Sequence, residues 1–559
     1  MSGPPGVRTV HLMGERGLLV ECGDLAEVLG LHAELTAHPL PGQVEVLAAA
    51  RTVLVRAADR RARDRLVPRL RAVPAAAAAR SEGAELTLDT VYDGADLTAV
   101  ADLTGTSPEA VVAAHTGQRW TAAFGGFAPG FTYLVGEDPT VEVPRRPSPR
   151  TSVPRGAVGL AGPFSAVYPR SSPGGWQLIG RTDAPMWDLE RVPPALLRPG
   201  DTVRFRAVRE LVSGRTPGGP PGDATARARR RGADHRHPAP AGGLRDATRG
   251  LVTDQSRPGS APPLHPPTAA LRVVSPGSLS LVQDLGRPGL LDLGVSPSGA
   301  ADRGSAAQAN RLVGNDRSAA VVETVLGGLE LEAVGDHVVA VSGAPVPLAV
   351  LRDDVEVAHP SGDVPFALPD GHRLRLDHPR RGLRAYVAVR GGLAVPAVLG
   401  SRSTDVLSRI GPEPLNPGTV LPVGPPPPSA VALGEPARVH PTDPVSVAVV
   451  LGPRADWVTP DSLEAFLTRG WTVTDRSNRV GVRLAGEPMQ RAADAELPSE
   501  PTVAGAVQVP TDGLPVVFLA DHPVTGGYPV IAVVTGAGLD LLAQVRPGQD
   551  VRFHVDDGG

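Results

Sequence analysis

Between residues 7 and 73, short apolar runs (RGLLVEC, QVEVLAA, TVLVRA) alternate with amphipathic stretches (LAEVLGLHAELTAH, RARDRLVPRLRAV). Runs of four to six apolar residues suit strands, and spacing of three to four suits helices, so this pattern predicts a small α+β unit over 7–80. After the run PAAAAARSEG, the strand-like ELTLDTVYDG leads to a helix, SPEAVVAAHT, with Ser107 or Thr106 as its N-cap. Short β-like runs broken by Gly and Pro continue to Val208, which defines a second unit over 84–208. Residues 209–268 carry TPGGPPGDATARARRRGADHRHPAPAGG and SRPGSAPPLHPP, with almost no apolar periodicity. Such a segment cannot bury enough to order itself and reads as a disordered linker.

Beyond the linker, GGLELEAV, HVVAVSG, VPLAVL, HRLRLDH and LRAYVAVRGGL read as strands. One helix is expected after SGAAD, with Asp302 as N-cap and Gly314-Asn315 as its stop. The Pro-rich stretch PVGPPPPSAVALGEP separates a β-rich subdomain over 271–424 from another over 445–556. The fold class expected is mostly β with α+β.

An internal repeat organises these units. GAV at 156–158, GGW at 174–176 and RPGDTVRF at 198–205 return as GAV at 505–507, GGY at 526–528 and RPGQDVRF at 546–553. Three matches in one order point to a duplication, so 84–208 and 445–556 are expected to share a β fold and to pack together.

GGFAPGFT at 125–132 has the glycine spacing of a nucleotide phosphate loop, but Phe131 stands where that loop needs Lys. Pro129 also removes an N–H from the cradle. The chain holds 55 Lys plus Arg, and every one is Arg. That excludes Schiff-base chemistry and a biotinylated Lys on this chain. Any anion must be held by Arg forks, backbone N–H groups or helix N-termini. A net charge of −4 gives no broad case for nucleic acid or anionic membranes, and the single Cys22 excludes a disulfide framework. With no membrane-length apolar run and no signal-peptide pattern, the chain reads as cytoplasmic.

The runs GGFAPGFTYL, PRRPSPRTSVPRGAVGLAG and YPRSSPGGWQLIGRT resemble the 5-oxoprolinase B subunit, which is also described as allophanate hydrolase subunit 1 or the Kip kinase inhibitor. VVSPGSLSLVQDLGRPGLLDLGVSPSGAADR, NRLVGN, LGSRSTD, VAGAVQVPTDGLPVVFLADHPVTGGYPVIAVV and RPGQDVRF resemble the 5-oxoprolinase C subunit, of the biotin-dependent-carboxyltransferase-like family. The resemblance implies cyclophilin-like β-barrels in both halves and a fusion of two normally separate subunits. It also implies ATP-dependent opening of 5-oxo-L-proline to L-glutamate, with a separate 5-oxoprolinase A subunit. ATP, with Mg2+, would be a co-substrate. Two alternatives stay open: a carboxyltransferase pair related to urea carboxylase and allophanate metabolism, and a regulatory module acting on a histidine kinase. No amidase region with a Ser-Ser-Lys constellation is recognisable.

Within these runs the candidate catalytic groups are His115, Arg181, Asp284, Arg287, Arg402 and Asp521. A capping or surface role for His115, and salt bridges for Arg150 and Arg181, are the structural alternatives. Candidate substrate or nucleotide contacts are Phe127, Gly130, Arg150 and Gln177 in the first half. In the second they are Ser401, Asp405, Gln508, Thr525, Gly526, Gly527 and Tyr528. No metal site is expected, because Asp521 and His522 are adjacent and would point apart.

Overall fold

The computed structural model describes residues 8–73, 83–211, 269–436, 438, 443–492 and 495–556. The expected linker therefore lies almost wholly outside the described residues. The first unit is an antiparallel sheet in the order Val10–Met13, Gly17–Glu21, Thr52–Ala57, Gln43–Ala48. Helices Leu25–Ala37 and Arg60–Ala72 start at Asp24 and Asp59, whose carboxylates accept from Glu27 N and Ala62 N. Alternation across the strands explains the unbroken apolar run RGLLVEC. Leu18 and Val20 face the helices, through Leu31, Leu35 and Leu66, while Leu19, Leu47 and Leu54 face away. That second face packs on Ala506, Phe518 and Val533, almost 500 residues later in the chain. Both faces of this sheet are buried.

Each half contains a seven-stranded barrel. The first runs in the order Glu85–Thr90, Thr202–Ala207, Trp120–Gly125, Thr132–Gly136, Phe164–Val167, Ala157–Ala161, Gln177–Arg181. The second runs Val445–Leu451, Asp550–Val555, Trp471–Val473, Gly481–Ala485, Val516–Phe518, Ala506–Gln508, Val530–Val534. The order is the same strand for strand, and in both the first strand lies parallel to the last. Val91 and Arg181 exchange backbone hydrogen bonds of 2.9 and 2.8 Å, closing the first barrel where Val449–Val534 pairing closes the second. The repeated GAV glycines are required by position. Gly156 and Gly505 have φ of +79° and +88°, and a Cβ would meet Thr182 O at 2.1 Å or Val534 O at 2.7 Å.

Between the barrels lies a sandwich of a six-stranded and a five-stranded sheet, with Leu271, Val322, Leu331, Val339, Leu374 and Val387 in its core. Helix Arg303–Leu312 begins at Asp302, which accepts from Ser305 N at 2.8 Å. Its Ala306, Ala309 and Leu312 pack on Ala340, Tyr386 and Ala388. The barrels touch through the segment before Glu500: Tyr133 OH lies 2.8 Å from Ser499 Oγ, and Arg145 pairs with Glu496 at 3.3 Å. Among the described residues no helix is long and apolar enough to cross a membrane.

Candidate functional site

GGFAPGFT forms a tight turn whose outer side meets the second half of the chain. Gly126 N donates to Phe131 O at 2.7 Å, and Phe131 is buried among Phe127, Tyr133, Tyr168 and Trp176. Gly130 N donates to Leu293 O at 3.2 Å, and Gly130 has φ +75°. A Cβ on Gly125 would lie 2.5 Å from Asp292 O. Gly125 and Gly294 let two backbones approach closely, which accounts for the glycine pattern without a phosphate.

Other first-half candidates are dispersed. Arg150 and Arg146 grip Asp96 at 2.8 and 2.7 Å, and Leu178 N donates to the same carboxylate at 2.7 Å. Burial pushes the Asp96 carboxyl up, but Arg150, the Leu178 N–H and Arg146 together hold it below its ordinary value. Gln177 donates to Pro144 O at 3.2 Å, and Arg181 forms an exposed pair with Asp93 at 2.9 Å. His115, whose structural alternative was a surface or capping role, is instead fully buried. Its Nδ1 meets Tyr92 OH at 2.7 Å and its Nε2 meets Ser165 Oγ at 2.9 Å. Burial pushes its pKa down to about 3, so the ring is neutral. The repeat explains the position. His115 packs on Phe205 and its carbonyl accepts from Trp120 Nε1, as Phe466 packs on Phe553 and accepts from Trp471 Nε1. His115 fills the place of a core Phe.

QDLGR and SRSTD are brought together. Asp284 accepts from Gly286 N, Ser401 Oγ and Ser403 Oγ through one oxygen, at 2.7, 2.6 and 2.5 Å, and from Arg402 N through the other at 2.7 Å. Arg402 turns its Nε to Val395 O at 2.8 Å. Arg287 is buried and donates to the Ser403 carbonyl, while its Nε and Nη1 reach no acceptor among the described residues. Asp405 accepts from Ser408 N at 2.8 Å through one oxygen. Burial, then the nearby Asp521 charge, pushes its carboxyl up to about 6. Asp521 itself is held by Arg479 and Ser298. Thr525 and Gly526 pair with Glu500 and Pro501, Gln508 Nε2 donates to Tyr528 O at 3.1 Å, and Gly527 lies beside Arg145. These last residues mark the seam between the barrels, and Tyr528 is exposed there.

A large open cleft lies beside the QDLGR cluster, and none of the candidate residues lines it. It encloses about 860 Å³ between the first sheet, the sandwich and the second barrel. Arg16 and Arg56 come from the first sheet, Arg303, Arg311 and Arg317 from the sandwich, and Arg438 from the segment leading to the second barrel. Glu15 and Asp540 are the carboxylates that line it. Arg311 pairs with Glu435 at 2.6 Å, Arg438 with Asp540 at 2.8 Å and Arg56 with Glu45 at 3.1 Å. Arg16 has no ion-pair partner among the described residues. Arg303 is solvent-exposed but enclosed by the cleft walls. Desolvation, then the charges of Arg56 and Arg16 against the pull of Asp540, pushes its guanidinium down. Like charges crowded in one concavity favour an anion. Asp540 accepts from Arg303 N and Gly304 N at 3.0 and 3.2 Å, at the start of the helix. Burial and Asp302 push its carboxyl up to about 6. His522, next to Asp521 but facing the other way, also lines the cleft. Sequence reasoning singled out none of these arginines and weighed His522 only together with Asp521, because the walls come from parts of the chain far apart: the first sheet, the helix after Asp302, the segment at Arg438 and the second barrel. One signal was legible: Arg303, Gly304, Ala307 and Arg311 form a helical stripe with small residues between two arginines.

Two family models match this chain: carboxyltransferase domain, subdomain C and D, over residues 8–197, and carboxyltransferase domain, subdomain A and B, over residues 293–555. The chain is 36% identical to the 5-oxoprolinase C subunit of Escherichia coli over 51% of its own length and 90% of that protein's. It is 46% identical to the 5-oxoprolinase B subunit of Bacillus subtilis over 21% of its length, about half of that relative. Urea amidolyase of Lachancea kluyveri is 33% identical over 51% of this chain and 17% of that protein. The crystal structure of TTHA0988 superposes with a TM-score of 0.77 at 34% identity, covering 96% of this chain and 99% of that one. The chain belongs to the carboxyltransferase-domain family of the 5-oxoprolinase B and C subunits, with a B-type and a C-type half joined in one polypeptide.

Proposed function

We propose that this chain is the B–C component of an ATP-dependent 5-oxoprolinase, opening 5-oxo-L-proline to L-glutamate together with a separate A subunit. The observation that carries this reading is the arginine cleft, which needs both halves: Arg16 and Arg56 come from the B-type half and Arg303 from the C-type half. A lactam amide resists water because of its resonance, so its oxygen must first be made a leaving group by phosphorylation. Both ATP and the phosphorylated lactam are polyanions. Arg16, Arg56 and Arg303 would hold phosphate oxygens there by bidentate hydrogen bonds, the geometry that suits a chain with no Lys. One well-placed donor to a developing oxyanion contributes about 2.7–4 kcal/mol to such a step. Mg2+ would enter with the nucleotide.

The urea amidolyase relative supports a second reading, carboxyl transfer, in which the same cleft takes a carboxylate-like anion and biotin is carried by another chain. The test is ATP hydrolysis by the chain mixed with the A subunit, with and without 5-oxo-L-proline. Hydrolysis that requires both proteins and the lactam is expected. Lactam-independent turnover, or carboxyl transfer from carboxybiotin, would favour the second reading.

A further inference from the structure

We infer that His522 is the proton acceptor of the arginine cleft, taking the proton of the water that opens the activated lactam; this rests on the 5-oxoprolinase reading above. The tautomer comes from geometry. His522 Nδ1 lies 2.8 Å from the Pro523 carbonyl oxygen, which can only accept, so Nδ1 carries the hydrogen. Thr502 also donates to that carbonyl and lies 3.4 Å from Nδ1. In the neutral ring the lone pair is then on Nε2. Phe518 stacks on the ring at 6.0 Å with planes 17° apart, fixing its orientation.

The other acidic or basic groups lining the cleft are less suited. Six are arginines, which stay protonated. Glu15 takes the Gly536 N–H at 2.7 Å, and Asp540 takes two helix N–H groups and Arg438. The charged groups acting on His522 are Arg56 and Asp521. Burial comes first and Arg56 second in pushing its pKa down to about 4, against the Pro523 carbonyl and Asp521, so the ring is an unprotonated acceptor at neutral pH.

The O-phosphorylated lactam is a C=N–H cation. Water bonds to its carbon, the C=N pair moves to nitrogen, and one water proton passes to Nε2. The imidazolium returns that proton to nitrogen as the C–N bond breaks, and the new hydroxyl becomes the carbonyl of an acyl phosphate, losing its proton to solvent. A second water then releases phosphate from the acyl phosphate.

His522→Asn separates the roles, because the Asn amide can still donate to the Pro523 carbonyl but has no second ring nitrogen. With the A subunit present, kcat is expected to fall by about 10²-fold, the lower end of the range for a positioned general base, because a ring held at about 4 is a weak one. Sulfate binding should stay as in the wild type, and the variant should still unfold in one cooperative transition. For His522→Ala, added imidazole should restore part of the turnover, in proportion to its unprotonated form. Wild-type kcat in His522→Asn, or a loss that imidazole cannot relieve in His522→Ala, overturns the assignment and leaves the functional reading standing. A wild-type mixture with no lactam-dependent hydrolysis overturns the functional reading, and this role with it.

Discussion

Arg479 grips Asp521 with two parallel hydrogen bonds of 2.9 Å, Nε to one oxygen and Nη2 to the other. Its third nitrogen reaches Glu323 at 2.5 Å, and Nη2 also donates to Gly299 O at 2.6 Å. Asp521 accepts further from Ser298 Oγ and Val406 N, so a barrel carboxylate is locked onto the sandwich. All three charged groups are fully buried. Removing the cation leaves Asp521 without its ion pair and Glu323 with Arg384 alone, 3.6 Å away, which costs roughly 3–5 kcal/mol. Arg479→Met is expected to lower the melting temperature sharply, and the double variant with Asp521→Asn to recover much of the loss, Glu323 keeping Arg384. An unchanged melting temperature in Arg479→Met would show that the network is not what joins these domains.

His115 should be replaceable. In the second barrel a Phe fills the same place, so His115→Phe with Tyr92→Phe and Ser165→Ala is expected to keep wild-type turnover. His115→Phe alone leaves two hydroxyls without their partner and should be less stable than the triple variant, by about 1–3 kcal/mol. A loss of activity in the stable triple variant would restore a chemical role to His115.

Asp405 gives a pH signature. Its folded pKa, pushed up to about 6, lies above the ordinary value of 3.8, so the native state holds an extra proton between these values. Its effect on stability is most favourable below pH 4 and is lost as pH rises through 6. Asp405→Asn should therefore melt higher than the wild type at pH 8 and show no such gain at pH 4. Thermal unfolding at the two pH values checks this.

The cleft should bind sulfate, a dianion throughout this range, more tightly at pH 5 than at pH 7.5. Protonating Asp540 near pH 6 removes a negative charge beside Arg303 and Arg438. Asp540→Asn should bind tightly at both values, by calorimetry. Equal wild-type affinity at both pH values counts against Asp540 as the titrating group.

Arginine geometry distinguishes the cleft from the surface. Arg303→Lys keeps charge but loses the fork, and should lose turnover nearly as fully as Arg303→Ala. Arg181→Lys, at the exposed Asp93 pair, should leave turnover unchanged. The reverse pattern would move the anion site to the first barrel.

Local sequence determined what local physics decides. Short continuous apolar runs marked the strands of Leu18–Val20 and Val53–Val55, side-chain capping marked Asp302 and Ser107, and Gly156 with Gly505 marked the repeat, because a positive φ there tolerates little else. The same repeat placed two β units on the chain before their barrels were visible. Tertiary structure decided which side chains meet. Asp284 and Asp521 are alike in sequence as acids within family-like runs, but one orders a loop and the other closes a buried ion network. Arg16, Arg56, Arg303 and His522 carry no shared motif, since a cleft needs only that its walls converge in space. No spacing along the chain encodes that convergence. It arises because the face of the first sheet carrying Leu19 and Leu54 has to be covered, and the second barrel covers it, bringing Arg16 and Arg56 to the wall opposite Arg303.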